Sequence, residues 1–300
     1  MSILKGFACL VVAATVAPAT PAQANCPGNV ESLPYRSLNR HQIVVPVAIN
    51  HSGPYNFLLD TGTQMTMIDP ALAAELHLVG SGEVSVRTGG VSASAVIADT
   101  ELVQAGTHQV RGLKVVVFDV AVQGGRSRDL RGVLGEDFLE HFDLLIDNAH
   151  SMVCLDDSGR MRAGVNGPHV QLLSPAGGDG LARVPVVAVR LADGMRPARL
   201  ELDSGADVSF LFDASFMALG VPKVVPIQGG GATGELRAFR ALPPQNVKIG
   251  SVEIAKVPFV TFSAVQKNSH TSDFDGLLPI GLFKTVFINH AEHFAVLKAW

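Results

Sequence analysis

Apolar residues recur in short runs along most of this chain, many of them alternating with polar residues, as in β-strands of half-buried sheets. Valine and isoleucine, which favour strands, are frequent in these runs. The predicted strands are 41–50, 55–59, 83–88, 91–98, 101–103, 113–118, 142–146, 151–155, 184–191, 199–202, 247–249, 251–254, 258–262, 286–289 and 293–297. The predicted helices are short and lie at 71–76, 136–140 and 212–219, with Asp69 capping the first. The pattern predicts an all-β fold.

The same series of landmarks occurs twice. Each half contains a strand, an Asp-hydroxyl-Gly motif, a short helix, a glycine hairpin, a Gly-apolar-apolar element and a closing hairpin. The matching landmarks are Asp60-Thr61-Gly62 with Asp203-Ser204-Gly205, Gly89-Gly90 with Gly229-Gly230-Gly231, and 132–135 with 276–278. The repeat spans about half of the chain, which is too long for a solenoid and indicates a duplicated lobe.

We therefore predict an N-terminal lobe at 25–165 and a C-terminal lobe at 166–300. The segment 156–180 is rich in Gly, Pro and polar residues, which is typical of a linker. Residues 25–41 are expected to form a polar lead-in to the first strand.

Composition narrows the functional classes. Of the 300 residues, 47% are apolar and 17% are charged, so the chain can bury a large core. The formal net charge of −4 argues against a nucleic-acid partner, which usually requires a basic face.

Residues 1–24 are predicted to be a signal peptide. Lys5 supplies the positive start, and the apolar run at 7–16 is too short to span a bilayer. Ala22 and Ala24 are small residues that suit cleavage before Asn25, although an uncleaved anchor is the alternative. No later segment is long and apolar enough to cross a membrane, so we expect a periplasmic or secreted protein.

Cleavage would remove Cys9 and leave Cys26 and Cys154. Two cysteines in an oxidising compartment can form a disulfide, but one buried and one exposed thiol fits the sequence equally well. A lipoprotein is disfavoured, because Asn25 precedes Cys26 where a small residue would be expected.

The two motif aspartates are the strongest candidates for chemistry. Asp-hydroxyl-Gly triplets often mark nothing more than a turn. Here, however, Asp60 and Asp203 each follow an apolar strand, where an unpaired charge is costly, and each occupies the same place in the repeat. This favours a site shared by the two residues.

Two carboxyls about 3 Å apart share one proton, because both cannot ionise cheaply. The ionised member can accept a proton from water while the protonated member donates to a carbonyl oxygen. Such hydrolysis of an amide requires no metal, cofactor or covalent intermediate. Gly62 and Gly205 would allow the backbone to approach closely, and the hydroxyls of Thr61 and Ser204 could hold the two turns in register.

The paired motifs and the glycine elements at 132–135 and 276–278 resemble those of the aspartic peptidases, the pepsin and retropepsin group. The resemblance covers nearly all of the mature chain and is especially close to retropepsins at 133–139 and 203–207. It implies an exported, single-chain, bacterial-type member with two pseudo-symmetric β-barrel lobes and a central cleft. It also implies that Asp60 and Asp203 are catalytic and that the glycine hairpins form flaps.

The sequence departs from this family pattern in three places. Pro279 stands where the second glycine element should end in Gly. Tyr35 and Tyr55 both precede the first hairpin, so no tyrosine is available for a pepsin-like flap. Thr63 could hydrogen-bond to Asp60, whereas Ala206 offers Asp203 no such partner, so the two carboxyls are expected to differ in acidity.

Other polar clusters are interpreted as structural. The residues at 290–293 lack the spacing of a helical zinc motif and are expected to form a polar turn. The glycines at 229–234 lack the Lys and the helix of a phosphate loop. A further acidic and histidine group has no shared face and is expected to be solvated: Asp137, His141, Asp143, Asp147 and His150.

Two functions are compatible with the sequence. The first is an aspartic endopeptidase that binds an extended peptide or protein substrate between its lobes, acts as a monomer, and has no nucleic-acid partner and no membrane contact after signal cleavage. The second is a non-catalytic peptide- or partner-binding protein on the same fold, suggested by Pro279 and Ala206.

Overall fold

A computed structural model describes residues 25–38, 42–88, 91–119, 129–173, 182–212, 214–220, 223–230, 236–262 and 274–300. The predicted signal peptide and Gly89-Gly90 lie outside these ranges. The described residues are mostly strands, with few helices, and one sheet curls into a half-barrel, which agrees with the predicted all-β class. No described helix has the length and hydropathy that a membrane span requires.

The strands are β1 (Ser32–Leu33), β2 (Arg36–Leu38), β3 (Gln42–Ile49), β4 (Ser52–Leu59), β5 (Met67–Ile68), β6 (Gly80–Thr88), β7 (Val91–Asp99), β8 (Leu102–Ala105), β9 (His108–Arg111), β10 (Lys114–Val117), β11 (Leu130–Leu134), β12 (Asp143–Asp147), β13 (Met152–Asp156), β14 (His169–Gln171), β15 (Val186–Val189), β16 (Ala198–Asp203), β17 (Ser209–Leu211), β18 (Lys223–Gly230), β19 (Leu236–Ala241), β20 (Gln245–Ile249), β21 (Val252–Val257), β22 (Phe259–Phe262), β23 (Gly276–Pro279), β24 (Phe283–Asn289) and β25 (Phe294–Ala299). The α-helices are α1 (Pro70–Glu75), α2 (Glu136–Leu139) and α3 (Arg160–Gly164). Short 3-10 segments lie at Pro27–Asn29, Ala214–Leu219 and Ile280–Leu282.

The first half forms a ten-stranded sheet in which β11 lies between β4 and β5. Strand β11 is parallel to β4 and antiparallel to β5, and β5 is in turn parallel to β10. Leu134 is in register with Leu59, so the glycine element at 132–135 ends beside the residue that follows β4.

The second half repeats these pairings in a seven-stranded sheet. Strand β23 is parallel to β16 and antiparallel to β17, and β17 is parallel to β22. The strands β4, β5, β10 and β11 therefore correspond to β16, β17, β22 and β23. The two Asp-hydroxyl-Gly motifs occupy matching places in the two pairing patterns.

The closing hairpins of the two halves share a third, six-stranded sheet of order β1-β13-β12-β24-β25-β14. Its central pair, β12 and β24, is antiparallel and places Ile146 opposite Val286. Asn148 reinforces this pairing, because its side-chain amide donates to the carbonyl oxygens of Ile280 and Phe283, at 3.2 and 2.9 Å. One apolar core cluster likewise contains residues of both halves, including Phe57 and Phe283.

Two segments predicted to be irregular are parts of this framework. The predicted linker contains α3 and β14, and β14 extends the six-stranded sheet beside β25. The predicted lead-in contains β1, which pairs with β13, and β2, which pairs with β3. Both expectations were wrong because strands of two or three residues are too short to show an alternating pattern.

The two predicted glycine hairpins differ in how far the structure describes them. Strands β6 and β7 pair up to Thr88 and Val91, and the two residues between them, 89 and 90, lie outside the described residues. Strands β18 and β19 pair up to Gly230 and Leu236. Gly229 and Gly230 thus lie in a strand rather than in the turn, and 231–235 lie outside the described residues.

Candidate active site

Asp60 is placed by the end of β4. The apolar residues before it are buried, and its backbone N–H donates to the carbonyl oxygen of Leu134 at 3.0 Å. Its carboxylate accepts the N–H of Gly62 at 2.9 Å and the hydroxyl of Thr63 at 3.0 Å. With 9% of its surface exposed, Asp60 is held in one orientation by its own turn.

Asp203 ends β16 in the same way and is 8% exposed. Its Oδ1 accepts the N–H of Gly205 at 2.7 Å and the N–H of Ala206 at 2.9 Å. Ala206 has no hydroxyl to offer, as expected, but its backbone N–H bonds to Asp203 where Asp60 receives the hydroxyl of Thr63.

The two carboxyls face each other. A Cβ built on Gly62 would lie 2.7 Å from Cγ of Asp203, and one built on Gly205 would lie 2.6 Å from Cγ of Asp60. Burial, followed by the nearby charge of Asp60, raises the pKa of Asp203 well above its ordinary value, and a side-chain hydrogen bond with Asp60 adds to the rise. A buried acid that faces a second acid retains its proton, so the pair can hold one proton in common.

The hydroxyls of Thr61 and Ser204 join the two turns reciprocally. Oγ1 of Thr61 donates to the carbonyl oxygen of Leu202 at 2.7 Å, and Oγ of Ser204 donates to that of Leu59 at 2.8 Å. Each hydroxyl also accepts the other residue's backbone N–H at 3.0 Å. All four bonds are buried and cross from one half of the chain to the other, so the separation of the carboxyls is fixed.

Gln42 adds a contact between the halves that sequence reasoning missed. Its side-chain amide, on β3, donates to the carbonyl oxygen of Gly205 at 2.8 Å and is buried. Its partner lies 163 positions away, and a polar residue at the start of a strand carries no local signal of such a contact.

The end of β11 and Gly135, which follows it, pass behind the Asp60 turn. The N–H of Glu136 donates to the carbonyl oxygen of Thr63 at 2.8 Å. Thr66 donates its hydroxyl to Asp137 at 2.6 Å and accepts the N–H of Gly135 at 3.1 Å. The prediction that Asp137 is solvated was wrong, since burial raises its pKa to about 6.

Pro279 makes the second half differ behind its aspartate. It lies opposite Asp203 in the register of β16 and β23 and has no N–H to donate. The chain then enters the 3-10 segment Ile280–Leu282, whereas Gly135 leads into α2. Pro279 therefore changes the backbone behind Asp203, but the hydrogen bonds to the carboxylate of Asp203 remain.

Residues 290–293 form the turn between β24 and β25, as expected, but the burial of His290 within it was not predicted. Its side chain is buried, with Nε2 at 3.0 Å from Oε2 of the fully buried Glu136. Nδ1 lies 2.6 Å from the carbonyl oxygen of Phe142 and donates to it. Glu292 is exposed and pairs with Arg162, as a turn residue would.

Asp143 was also predicted to be solvated and is instead buried. Burial, followed by the charge of Asp156, raises its pKa to about 6. Asp147 is largely buried too and lies 2.8 Å from Nδ1 of His150. These groups do not converge, and the described residues contain no set of three His, Cys, Asp or Glu side chains that could hold a metal ion.

Cys26 and Cys154 form a disulfide in the structure. Both are buried in a second apolar cluster with Met161 and Phe287. The bond attaches the start of the described chain to β13 of the six-stranded sheet. Of the two possibilities that the sequence left open, a disulfide or two free thiols, the structure has the disulfide.

Replacing Cys26 and Cys154 together by alanine should lower the free energy of unfolding by about 2–4 kcal/mol, because a link across 128 positions restricts the unfolded chain. Urea denaturation of the variant and of the wild-type protein, each with and without reductant, measures this. Reductant should destabilise only the wild-type protein. Equal midpoints in all four samples would show that the disulfide does not stabilise the fold.

The comparisons with known proteins agree with this geometry. A family model described as aspartyl protease matches residues 45–138, which include Asp60, its turn and the glycine element at 132–135. A search of curated proteins found no match. The matched segment, the mostly β structure and the paired carboxyls together support an aspartyl protease family and, in general terms, a peptidase activity.

Proposed function

We propose that this protein is an aspartic endopeptidase in which Asp60 and Asp203 activate a water molecule between them. The observation that carries the proposal is the close approach of two buried carboxyls, each of which lies against the glycine of the other motif. Their turns are held together by the hydroxyls of Thr61 and Ser204. A binding protein would have no use for two acids in contact, since that arrangement raises the free energy of the ionised pair.

The proposed mechanism uses the single proton of the pair. Asp203 holds it when substrate binds, because burial and the charge of Asp60 raise the pKa of Asp203. Asp60 takes a proton from the water as the water attacks the peptide carbonyl, and Asp203 donates its proton to the carbonyl oxygen. The resulting gem-diol collapses when Asp60 gives its proton to the nitrogen and a diol hydroxyl returns its proton to Asp203. The C–N bond breaks, amine and carboxylic acid are released, and the pair again holds one proton.

The proposed substrate is an extended peptide. The hairpins β6–β7 and β18–β19 are the flap candidates, with Gly89 and Gly90 in the first and Gly229 and Gly230 in the second. An extended chain beside such hairpins can be recognised through its backbone, as an added strand is.

The two lobes, at 25–165 and 166–300, remain part of the proposal. The matching pairings around β4 and β16 support a duplicated, pseudo-symmetric arrangement with the pair at its centre. One chain then supplies both acids, so we propose a monomer. The Cys26–Cys154 disulfide supports export to the periplasm or beyond, where such bonds persist.

A peptide library distinguishes this proposal from a non-catalytic binding protein. The exported protein is incubated with mixed peptides at acidic to neutral pH, and the products are identified by mass spectrometry. Internal cleavage that persists after chelation of metals, and that is absent from a sample carrying Asp60→Asn, supports the endopeptidase. Retention of peptides without cleavage at any pH would contradict it and would favour the binding protein.

A further inference from the structure

A third buried acid lies next to the aspartate pair and has no part in the mechanism above. Glu201 is on β16, two positions before Asp203, so both side chains point to the same face of the strand. Its neighbours in register are Val186 of β15 and Leu277 of β23, so it lies inside the sheet. Glu201 is 1% exposed.

No cation faces Glu201 among the described residues. Oε1 of Glu201 is buried and has no hydrogen-bond partner within that part of the chain. The charged groups that act on it are all acids: Asp203 on its own strand, and Asp60 and Glu136 from the first half. An ionised Glu201 would therefore be an unpaired charge in a dry site, which is strongly unfavourable.

His290 does not neutralise an ionised Glu201, because it lies against Glu136 instead. Nδ1 of His290 donates to the carbonyl oxygen of Phe142, and Nε2 lies 3.0 Å from Oε2 of Glu136, so the charge of an imidazolium would act first on Glu136. The positive charge of His290 therefore stabilises Glu136, and Glu201 is uncharged only when its own carboxyl is protonated.

We propose that Glu201 is a positioning residue that holds a proton beside the catalytic pair, and that loss of this proton ends catalysis as the pH rises. The inference rests on the proposed peptidase function. The active pair already carries one negative charge, and the transition state places further charge on the substrate oxygen. A second carboxylate in the same low-dielectric site would oppose both.

Burial, followed by the charges of Asp203, Asp60 and Glu136, raises the pKa of Glu201 well above its ordinary value. The stabilising effect of such a group is complete below the pKa of the unfolded chain, 4.5, and is lost as the pH rises through the folded-state pKa. Glu201 should therefore make the protein less stable towards neutral pH. This consequence can be measured whether or not the protein cleaves peptides.

Two variants test the inference, because glutamine and leucine both remove the proton while preserving the approximate volume. For Glu201→Gln and Glu201→Leu, we expect kcat/KM at the acidic optimum within about two-fold of wild type. On the upper limb of the pH profile, one pH unit above the wild-type midpoint, both should retain about three-fold more activity than wild type. If Glu201 had only a structural role, the Gln and Leu variants would not both shift the upper limb of the pH profile to higher pH.

Asp143→Asn is the matched control. Asp143 is also a buried acid with a raised pKa, but the groups acting on it are Asp156, Arg162, His290 and Glu292, not the catalytic pair. Its replacement should change the dependence of stability on pH and leave the pH profile of kcat/KM unchanged. A shift of that profile equal to the shift in the Glu201 variants would overturn the inference.

Thermal denaturation across the acidic to neutral range provides the second readout. The difference in Tm between Glu201→Gln and wild type should increase in favour of the variant as the pH rises. A ¹³C-glutamate NMR titration of wild type should also show a carboxyl that ionises well above about 4.3 and is absent from the variant. A constant difference in Tm, or upper limbs that coincide with wild type, would refute the role of Glu201.

These outcomes separate the inference from the proposed function. If wild type cleaves no peptide, the peptidase proposal fails, and the pH dependence of Tm still reports whether Glu201 holds a proton. If wild type cleaves peptides and both variants follow its pH profile, only the role of Glu201 fails.

Discussion

Replacing Asp203 by asparagine is expected to lower kcat/KM for peptide cleavage by about 10³-fold or more. Asparagine retains the shape of the side chain and can still accept the N–H groups of Gly205 and Ala206. It can neither share a proton with Asp60 nor donate one to the substrate oxygen as an acid. Steady-state assays on a fluorogenic peptide chosen from the library products measure the loss.

Asp203→Asn should remain folded, and the direction in which its free energy of unfolding changes provides a control. The raised pKa of Asp203 means that its stabilising effect is present below its ordinary value of 3.8 and declines as the pH rises. Asparagine does not ionise, so its contribution to the free energy of unfolding does not decline with pH. The variant should therefore resist urea at neutral pH at least as well as wild type. Full activity in a folded variant would remove Asp203 from the mechanism.

Replacing Gly205 by alanine is expected to lower kcat about 10²-fold, with a much smaller change in KM. The added Cβ would lie 2.6 Å from Cγ of Asp60. A carboxylate is the end of a side chain and can move, so the fold should survive with an overpacking cost of about 1–3 kcal/mol. The displaced carboxylate, however, would no longer share a proton correctly with Asp203.

Gly62 and Gly82 make this prediction specific. Gly62→Ala should behave like Gly205→Ala, because its Cβ would lie 2.7 Å from Cγ of Asp203. Gly82 lies near the start of β6, at the opposite end from the flap candidates Gly89 and Gly90, and has nothing within 4 Å of an added Cβ. Gly82→Ala should therefore leave both kcat and KM unchanged. Equal kinetics in all three variants would contradict the close approach of the two turns.

The placement of Asp60 and Asp203 could be predicted because their signals are local. An apolar strand followed by Asp, a hydroxyl residue and Gly can be recognised within a few positions, and its repetition indicates which two copies correspond. The capping of α1 by Asp69 was confirmed for the same reason, since its carboxylate accepts the N–H of Leu72 at 2.8 Å. Local patterns thus predicted most of the strands and the contacts within each turn.

The polar groups around the pair could not be predicted, because their partners are distant in the chain. The turn at His290 was predicted correctly but not the burial of its side chain, and Glu201 was taken only as part of a strand. Glu136 and His290 come from opposite halves, and their burial follows from how the two closing hairpins pack. A single sequence shows which residues can ionise, but it does not show which of them share a dry site.

The pairing of β12 with β24 also bears on what either half could do by itself. An excised first half would expose the backbone of Asp143–Asp147 as an open sheet edge, and an excised second half would expose Phe283–Asn289. Such edges bind other strands, so each fragment would tend to pair with a second copy of itself or to aggregate. Joining the halves in one polypeptide keeps both edges covered and allows the two acids to evolve different surroundings.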